Sequence, residues 1–169
     1  IAVNSTITES GGGNLLIATS GDGSDITTSA TISEAGAGNL TVQTSGTNSN
    51  LSFNANVTGS GGGILTLTSG NSASSITLGT GAVVSGDVVT ANTPVLNLGG
   101  NSTLRATGTG ALLTVQSNAV DFKLDVSMAS GATIVSNTGN VTFNSSAQSG
   151  EIDITGGPAN GTITANSGN

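Results

Sequence analysis

Cysteine, histidine, tyrosine and tryptophan are all missing from the 169-residue sequence. The lack of cysteine excludes a disulfide framework and a thiolate metal site, and the lack of histidine removes the commonest general base and metal ligand. Cations are scarce as well, since Arg105 and Lys123 stand against nine acidic residues. Because a nucleic-acid surface needs a basic patch, we expect no nucleic-acid partner.

Long apolar runs are missing too, and aromatic residues make up only 2% of the chain. No segment approaches the ~20 apolar residues of a membrane span, so we expect none. So few aromatic rings do not fill a bulky globular core. Glycine, in contrast, occurs 27 times. A glycine-rich polar composition is typical of disordered segments, but the apolar residues here are periodic, which indicates an ordered and narrow core.

An internal repeat of about 25 residues relates the apolar positions. Ile1, Ile26, Leu51 and Ile76 follow at one constant spacing without a gap. Three further sets share it, namely Ile7, Ile32, Val57 and Ala82; Gly11, Gly36, Gly61 and Gly86; and Leu15, Leu40 and Leu65. A fixed period of this size is typical of a solenoid, in which each position stacks into a ladder. We therefore predict an all-β solenoid of about seven coils of about 25 residues, formed by residues 1–169 as a single segment.

Each repeat is predicted to contain two strands. Residues 26–32 and 51–57 alternate apolar and polar side chains, which is the pattern of a half-buried strand. A glycine-rich turn such as residues 36–38 follows, and a second strand begins at Asn39. No segment shows the period of an amphipathic helix, so no helix is predicted.

The period drifts after Ile76. Leu98 is predicted to open the next coil, slightly earlier than the period requires, with Leu104 in the same strand. Pro94 falls in the shortened connection, where a missing N–H is tolerated. Later positions are assigned in the same way: Gly108 and Gly110 in a turn, Leu112 and Val115 in a second strand, Phe122, Leu124 and Val126 inward, Val141 and Phe143 opening another coil, and Ile152 and Ile154 in its second strand.

Three phrases of the repeat resemble a known class of sequence: residues 38–42 (Gly-Asn-Leu-Thr-Val), 63–67 (Gly-Ile-Leu-Thr-Leu) and 139–143 (Gly-Asn-Val-Thr-Phe). They are similar to the repeat regions of large secreted bacterial surface proteins: autotransporter passengers, filamentous-haemagglutinin-type exoproteins and beta strand repeat proteins. The resemblance implies a right-handed parallel β-helix that is displayed outside the cell in an adhesin, stalk or surface filament. It carries over no functional residue, and we expect the chain to be an excerpt of a longer protein.

Residues 20–25 read Ser-Gly-Asp-Gly-Ser-Asp and approach the glycine–aspartate calcium-binding repeat of toxins. Asp22 and Asp25 are therefore the candidate calcium ligands, and calcium is the only candidate cofactor. The motif occurs once, and the equivalent positions one repeat later, Thr47 and Asn50, carry no charge. An ordinary turn rich in aspartate and glycine is the simpler interpretation.

Glu151 and Asp153 are the carboxylates best spaced for acid–base catalysis. At positions i and i+2 of a strand they share a face, and glycosidases use carboxylates at comparable separations. No Arg, Lys, His, Tyr or Trp lies near them in sequence to bind a sugar or to tune their pKa values. We therefore predict a solvated outer face and no enzymatic activity. The neighbouring row of Asp121, Lys123 and Asp125 is likewise predicted to be outward and charged.

Outward threonine and asparagine side chains form a last candidate surface. The predicted ladder pairs Thr6 with Thr8, Thr31 with Ser33, and Asn56 with Thr58, and it breaks at Gly81 and Val83 and again at Arg105. Flat threonine arrays bind ice in some β-solenoids, although threonine is also common in exposed strands. A structural scaffold is the leading interpretation. The alternatives are a carbohydrate-active β-helix enzyme and an ice- or polysaccharide-binding module.

The two ends of a solenoid are open strand edges. Apolar strands begin at Ile1 and at Ile163, so an uncovered end exposes apolar surface to water. We expect further repeats of the same chain, or end-to-end copies of it, as partners, with surface glycans as a further candidate. The expected location is extracellular, at the cell surface.

Overall fold

The computed structural model describes residues 1–109, 111–117, 123–145, 151–156 and 161–166. Within these ranges the chain forms 18 β-strands, numbered β1 to β18 in chain order, and no helix. A helix of the length and apolarity that a membrane crossing requires is accordingly not found in that part of the chain.

Three columns of parallel strands build the molecule. The first column contains seven strands: β1 (Ala2–Val3), β4 (Ile26–Thr28), β7 (Leu51–Phe53), β9 (Ser75–Leu78), β11 (Val95–Leu98), β14 (Leu124–Met128) and β17 (Ile152–Gly156). The second column contains β2 (Ile7–Glu9), β5 (Ile32–Glu34), β12 (Thr103–Ala106), β15 (Thr133–Ser136) and β18 (Thr162–Ala165). The third column contains β3 (Leu15–Thr19), β6 (Leu40–Thr44), β13 (Leu113–Gln116) and β16 (Val141–Asn144). Two longer strands, β8 (Val57–Thr68) and β10 (Val83–Asn92), pass from the second column into the third.

The register of the first column confirms the β-solenoid. Ile26 pairs with Leu51 and Leu51 with Ile76, each one full repeat further along the chain. Because the strands are parallel and in register, backbone groups of one coil bond to the coils above and below. The chain completes about six turns between the first and the seventh strand of this column.

Stacked aliphatic side chains form the core. Alternation turns every second residue of a strand inward, so Ile26, Leu51 and Ile76 lie directly above one another and are fully buried. Leu40 and Leu65 form the equivalent fully buried stack in the third column. Burial of each such side chain contributes about 1.5–3 kcal/mol. One narrow ladder of aliphatic residues therefore replaces the aromatic core that the composition excludes.

Polar side chains continue the stacking at corners where strand pairing stops. The backbone N–H of Asn39 donates to Asn14 Oδ1 at 2.9 Å, and that of Ile64 donates to Asn39 Oδ1 at 2.8 Å. Ser75 N–H donates to Asn50 Oδ1 at 2.9 Å. Each bond joins residues 25 positions apart. These asparagines satisfy backbone donors that the loops would otherwise leave without a partner.

Glycine at the corner between the second and third columns permits close approach of successive coils. A Cβ atom on Gly38 would overlap the carbonyl oxygen of Gly13, and a Cβ atom on Gly63 would overlap that of Gly38. The repeat of glycine at this corner therefore follows from backbone-to-backbone contact along the stack.

Each turn contains three strands, whereas the sequence pattern predicts two. Ile26–Thr28 and Ile32–Glu34 belong to different columns, and a bend at residues 29 and 30 separates them. Ile26 and Ile32 both remain fully buried on either side of the bend. The alternation of inward and outward side chains thus continues across the bend. For that reason the sequence pattern does not show that the chain turns there.

The register of the first column beyond Ile76 differs from the prediction. Leu96, not Leu98, pairs with Ile76, so this turn is even shorter than the sequence pattern predicts. The chain shortens between Asn92, which ends β10, and Val95, which begins β11. Pro94 lies in this short connection, as predicted, and its carbonyl accepts a hydrogen bond from the next coil.

The second column also departs from the predicted period. Val84, not Ala82, pairs with Val57, because two extra residues precede it. Gly86 consequently pairs with Gly59 and leaves the glycine register that was predicted for it. Leu104 pairs with Val84 in this column, so it does not share a strand with Leu98.

The later coils keep the predicted inward positions, but several of their strands lie in other columns than predicted. Val141 and Phe143 lie in the third column, opposite Leu113 and Val115, so they do not open a coil. Strand β17, with Ile152 and Ile154, belongs to the first column and opens the next turn. Leu124 and Val126 are buried as predicted, and Gly108 lies in a bend. Leu112 is 41% exposed, because Leu113 takes the inward position. Gly110, Asp121 and Phe122 lie outside the described residues.

The first coil is less buried than the ladder prediction requires. Ile1 is 55% exposed although it continues the register of Ile26. It lies on the outer edge of the first coil, where one side of the stack has no strand in this structure. Thr27 and Ser52 are half-buried rather than fully outside, because the coils above and below flank each outward side chain.

Candidate functional site

A small charged cluster lies on the outer face of the first column. Lys123 Nζ contacts Asp153 Oδ2 at 2.7 Å and Asp125 Oδ1 at 3.1 Å. Asp125 and Asp153 are paired residues of β14 and β17 and therefore lie one coil apart. The hydrogen bonds to Asp153 and then to Asp125 raise the pKa of Lys123 above the usual lysine range. The cluster neutralises part of a row of like charges, as expected for an outward charged row.

Glu151, the other half of the predicted carboxylate pair, is exposed and immediately precedes β17. Its backbone carbonyl accepts a hydrogen bond from Leu124 N–H. The only ion pairs in the described residues join Lys123 to Asp125 and to Asp153, so the cation engages Asp153 and not Glu151. The structure therefore links Asp153 to Asp125 through Lys123 and does not join it to Glu151 as an acid–base pair.

A shallow groove of about 430 Å³ runs along the same column across four coils. Its outward lining includes Thr77, Asn97, Ser127 and Thr155. Hydroxyl and amide groups can donate and accept hydrogen bonds, so the surface of the groove is polar and uncharged. Its lining contains no aromatic residue on which a sugar ring could stack.

The candidate calcium ligands make hydrogen bonds to the next coil. Asp22 Oδ1 accepts from Thr47 N–H at 2.8 Å. Asp25 Oδ1 accepts from Asn50 N–H at 2.8 Å and from Asn50 Nδ2 at 3.1 Å. These bonds repeat the corner bonds of the asparagines and give both carboxylates a structural role. Groups of three or more metal-ligating side chains do not occur in the part of the chain that the structure describes. Asp22 and Asp25 therefore stay candidate calcium ligands only, and an ordinary turn stays the simpler interpretation.

Two inward carboxyl groups, the buried Glu34 and the half-buried Glu9, were missed by the sequence reasoning. Glu34 is fully buried, and its Oε1 accepts from Gly36 N–H at 2.8 Å. Glu9 is paired with Glu34 one coil away and binds Gly11 N–H in the same way, also at 2.8 Å. The Oε2 atoms of both residues are buried without a hydrogen-bond partner among the described residues. The sequence does contain a signal for Glu34. It follows Ile32 by two positions in the same strand, so its side chain lies on the same inward face.

The outward ladder on the second column differs from its predicted course. Thr8, Ser33 and Thr58 do stack, but Ser85, not Val83, follows Thr58. The row then continues to Arg105 and Val135. The predicted interruption at Gly81 is therefore wrong, because the shift of the register moves Gly81 out of the ladder. Arg105 interrupts the ladder as predicted.

Comparison with protein-family models gave no match, and comparison with curated proteins and with solved structures gave none either.

Proposed function

We propose that the chain is a structural segment of a large bacterial surface protein, an adhesin, stalk or surface filament, in which it acts as a rigid, repeated scaffold. The observation that carries this proposal is the continuous parallel pairing of strands in three columns from β1 to β18. Successive turns differ in length, but each pairs with the next through the same columns of parallel strands, so length adds without a change of architecture. The resemblance of the glycine-asparagine phrases to secreted repeat proteins supports an extracellular location.

The exposed edges of the stack support the proposed partners. Ile1 is exposed at one edge, and Ile154 and Ile163 are exposed at the other. Open parallel strand edges with apolar side chains are templates for pairing with another strand. We propose that further coils of the same polypeptide, or a second copy stacked end to end, cover these edges. Surface glycans remain proposed partners of the polar faces.

Surface display tests the scaffold proposal directly. Antibodies raised against the 169-residue chain should label intact cells of the source organism, and mild protease treatment of those cells should remove the label. A cytoplasmic protein serves as the control, since it must stay protected. Labelling that appears only after the cells are lysed would refute the extracellular part of the proposal.

The association state of the isolated chain tests the edges. We expect oligomers or filaments in electron microscopy and in sedimentation experiments, because head-to-tail contacts do not close. Ile163→Lys places a charge on one edge and should shorten these assemblies. Thr77→Lys, on the lateral face of β9, is the matched control. A monodisperse monomer with protected amides in β1 and β18 would contradict end-to-end association.

A carbohydrate-active enzyme is the second candidate, because Asp125 and Asp153 line a smaller groove of about 250 Å³ on the first column. Incubation with a panel of polysaccharides and detection of new reducing ends tests it. We expect no product. Turnover that Asp153→Asn abolishes would establish the enzyme and overturn the purely structural proposal.

A further inference from the structure

The outer face of the third column carries an uninterrupted row of threonines that the sequence reasoning did not identify. The register places one threonine above the next in five successive coils: Thr41, Thr66, Thr90, Thr114 and Thr142. Neighbouring hydroxyl groups in the row are therefore about 4.8 Å apart. The predicted ladder on the second column, in contrast, is broken by Arg105.

The hydroxyl groups of this row are available to an external partner. None of the five forms a side-chain hydrogen bond within the described part of the chain. On the second column, by comparison, Thr133 Oγ1 donates to Thr103 Oγ1 at 3.0 Å. A β-branched side chain has restricted χ1 rotation, so the row holds its hydroxyl and methyl groups in a repeated arrangement. Each hydroxyl offers one donor and two acceptor sites.

The rows on either side keep the face rigid and uncharged. On one side, Asn92 Nδ2 donates to Thr68 Oγ1 at 3.1 Å, and Gln116 Nε2 donates to Asn92 Oδ1 at 2.8 Å. On the other side, Ile64 is 45% exposed and Leu112 is 41% exposed. The strands of the third column, with residues 64–68 of β8 and 88–92 of β10, contain no charged residue, although the chain carries a net charge of −7.

These properties exclude several classes of ligand. Without cations the face offers no site for phosphate or nucleic acid, and without aromatic rings it offers no stacking platform for a sugar. Five coils at about 4.8 Å and a strand of about five residues at about 3.3 Å give an area of about 400 Å². That is about half of the ~800 Å² per partner in a standard protein interface, so a lateral copy of the chain is too weakly held.

We propose that this face binds the surface of ice. A neutral, repeating array of fixed hydroxyl and methyl groups matches a solid whose oxygen positions also repeat at a fixed spacing. Hydroxyl groups can join the hydrogen-bond network of the outermost water layer, while the methyl groups and the row of Ile64 and Leu112 favour removal of disordered water. The proposal is independent of the scaffold role and concerns a different face from the Asp125–Asp153 groove.

The test uses the full 169-residue chain with three lysine variants. Thr90→Lys places a charge in the centre of the row, and Thr77→Lys places one on the first column of the same turn, at a similarly half-buried position. Thr66→Lys is a second row variant in case Thr90→Lys does not fold. Circular dichroism establishes that each variant is folded. The readouts are partition of the protein into slowly growing ice and thermal hysteresis.

We expect the wild type and Thr77→Lys to enter the ice and to depress the freezing point below the melting point, and the folded row variant to lose at least about tenfold of both effects. Exclusion of the wild type from the ice, as for an unrelated acidic protein, would overturn the proposal. Equal losses in Thr77→Lys and Thr90→Lys would overturn the assignment to this face. Binding to insoluble cellulose or chitin through Thr90, without any ice activity, would instead identify a polysaccharide site.

Discussion

Leu51 is the position at which truncation tests the ladder most sharply. Its side chain is fully buried between Ile26 and Ile76, at equivalent positions in the coils on either side. Leu51→Ala removes three carbon groups, which costs about 2.4 kcal/mol in transfer free energy. A rigid backbone stack cannot collapse around the missing atoms, so the remaining cavity should bring the total to about 3–4 kcal/mol.

Thermal and urea unfolding measure this change. For a chain of this length each ~1 kcal/mol lowers the Tm by about 2–4 °C, so we expect a decrease of about 6–16 °C. Ser52→Ala on the outward side of the same strand is the matched control and should change the free energy of unfolding by less than about 0.5 kcal/mol. Leu51→Asp should be more severe still, because it buries an unpaired charge. Equal effects of Leu51→Ala and Ser52→Ala would refute the inward assignment of this column.

Three further predictions follow from corners and surface charges. Gly63→Ala should lower the Tm strongly, because its Cβ would overlap a backbone carbonyl. Gly13→Ala is the control and should be tolerated, because its Cβ meets only the Glu9 side chain at ordinary distance. Similar Tm values for the two variants would contradict the argument that the coils approach closely at this corner. Asp25→Ala removes two hydrogen bonds from the next coil and should lower the free energy of unfolding by about 1 kcal/mol. Calcium should leave the wild-type Tm unchanged. A calcium-induced rise in the Tm that Asp25→Ala abolishes would reveal a metal site. Lys123→Met should cause a small loss of stability that added salt reduces. The folded state raises the Lys123 pKa, so the stability that Lys123 contributes is fully present below about pH 10 and declines only at higher pH. A loss of this stability centred near neutral pH in unfolding experiments would contradict the prediction.

The fold was predictable from the sequence because one physical requirement repeats at one spacing. Ile26, Leu51 and Ile76 each fill the same slice of a narrow core, so the constant period reports the stacking directly. The division of each turn into three strands was not predictable from alternation. Thr28 and Ile32 both point inward on either side of the bend. A period-2 pattern shows only which side chains point inward, so it does not show the bend.

The register after Ile76 was also beyond the sequence pattern. Leu96 and Leu98 are both buried leucines of β11, and a shift by an even number of positions keeps the same side chains inward. Only backbone pairing distinguishes the two alternatives. The pairing is set by the short connection through Pro94, and apolar spacing does not encode the length of a connection.

Surface assignments depended on that register and were correspondingly less accurate. The charged row of Lys123 and Asp125 was identified, since neighbours on one strand need no long-range register. The threonine row through Thr66, Thr90 and Thr114 was not, because its members recur at a slightly shorter spacing than the predicted period. The buried carboxyl of Glu34 was missed for another reason, since a charged residue at an inward position contradicts the general preference of the core.

The direction of the inter-coil hydrogen bonds determines how the chain responds to mechanical force. Successive coils are held together by bonds that run along the stacking axis, so tension on the two ends loads the coils in series and detaches the terminal one first. A released coil of about 25 residues extends to about 85 Å of chain, whereas it occupied about 4.8 Å in the stack. A stalk of the kind proposed above would therefore lengthen stepwise under load and absorb work at each step.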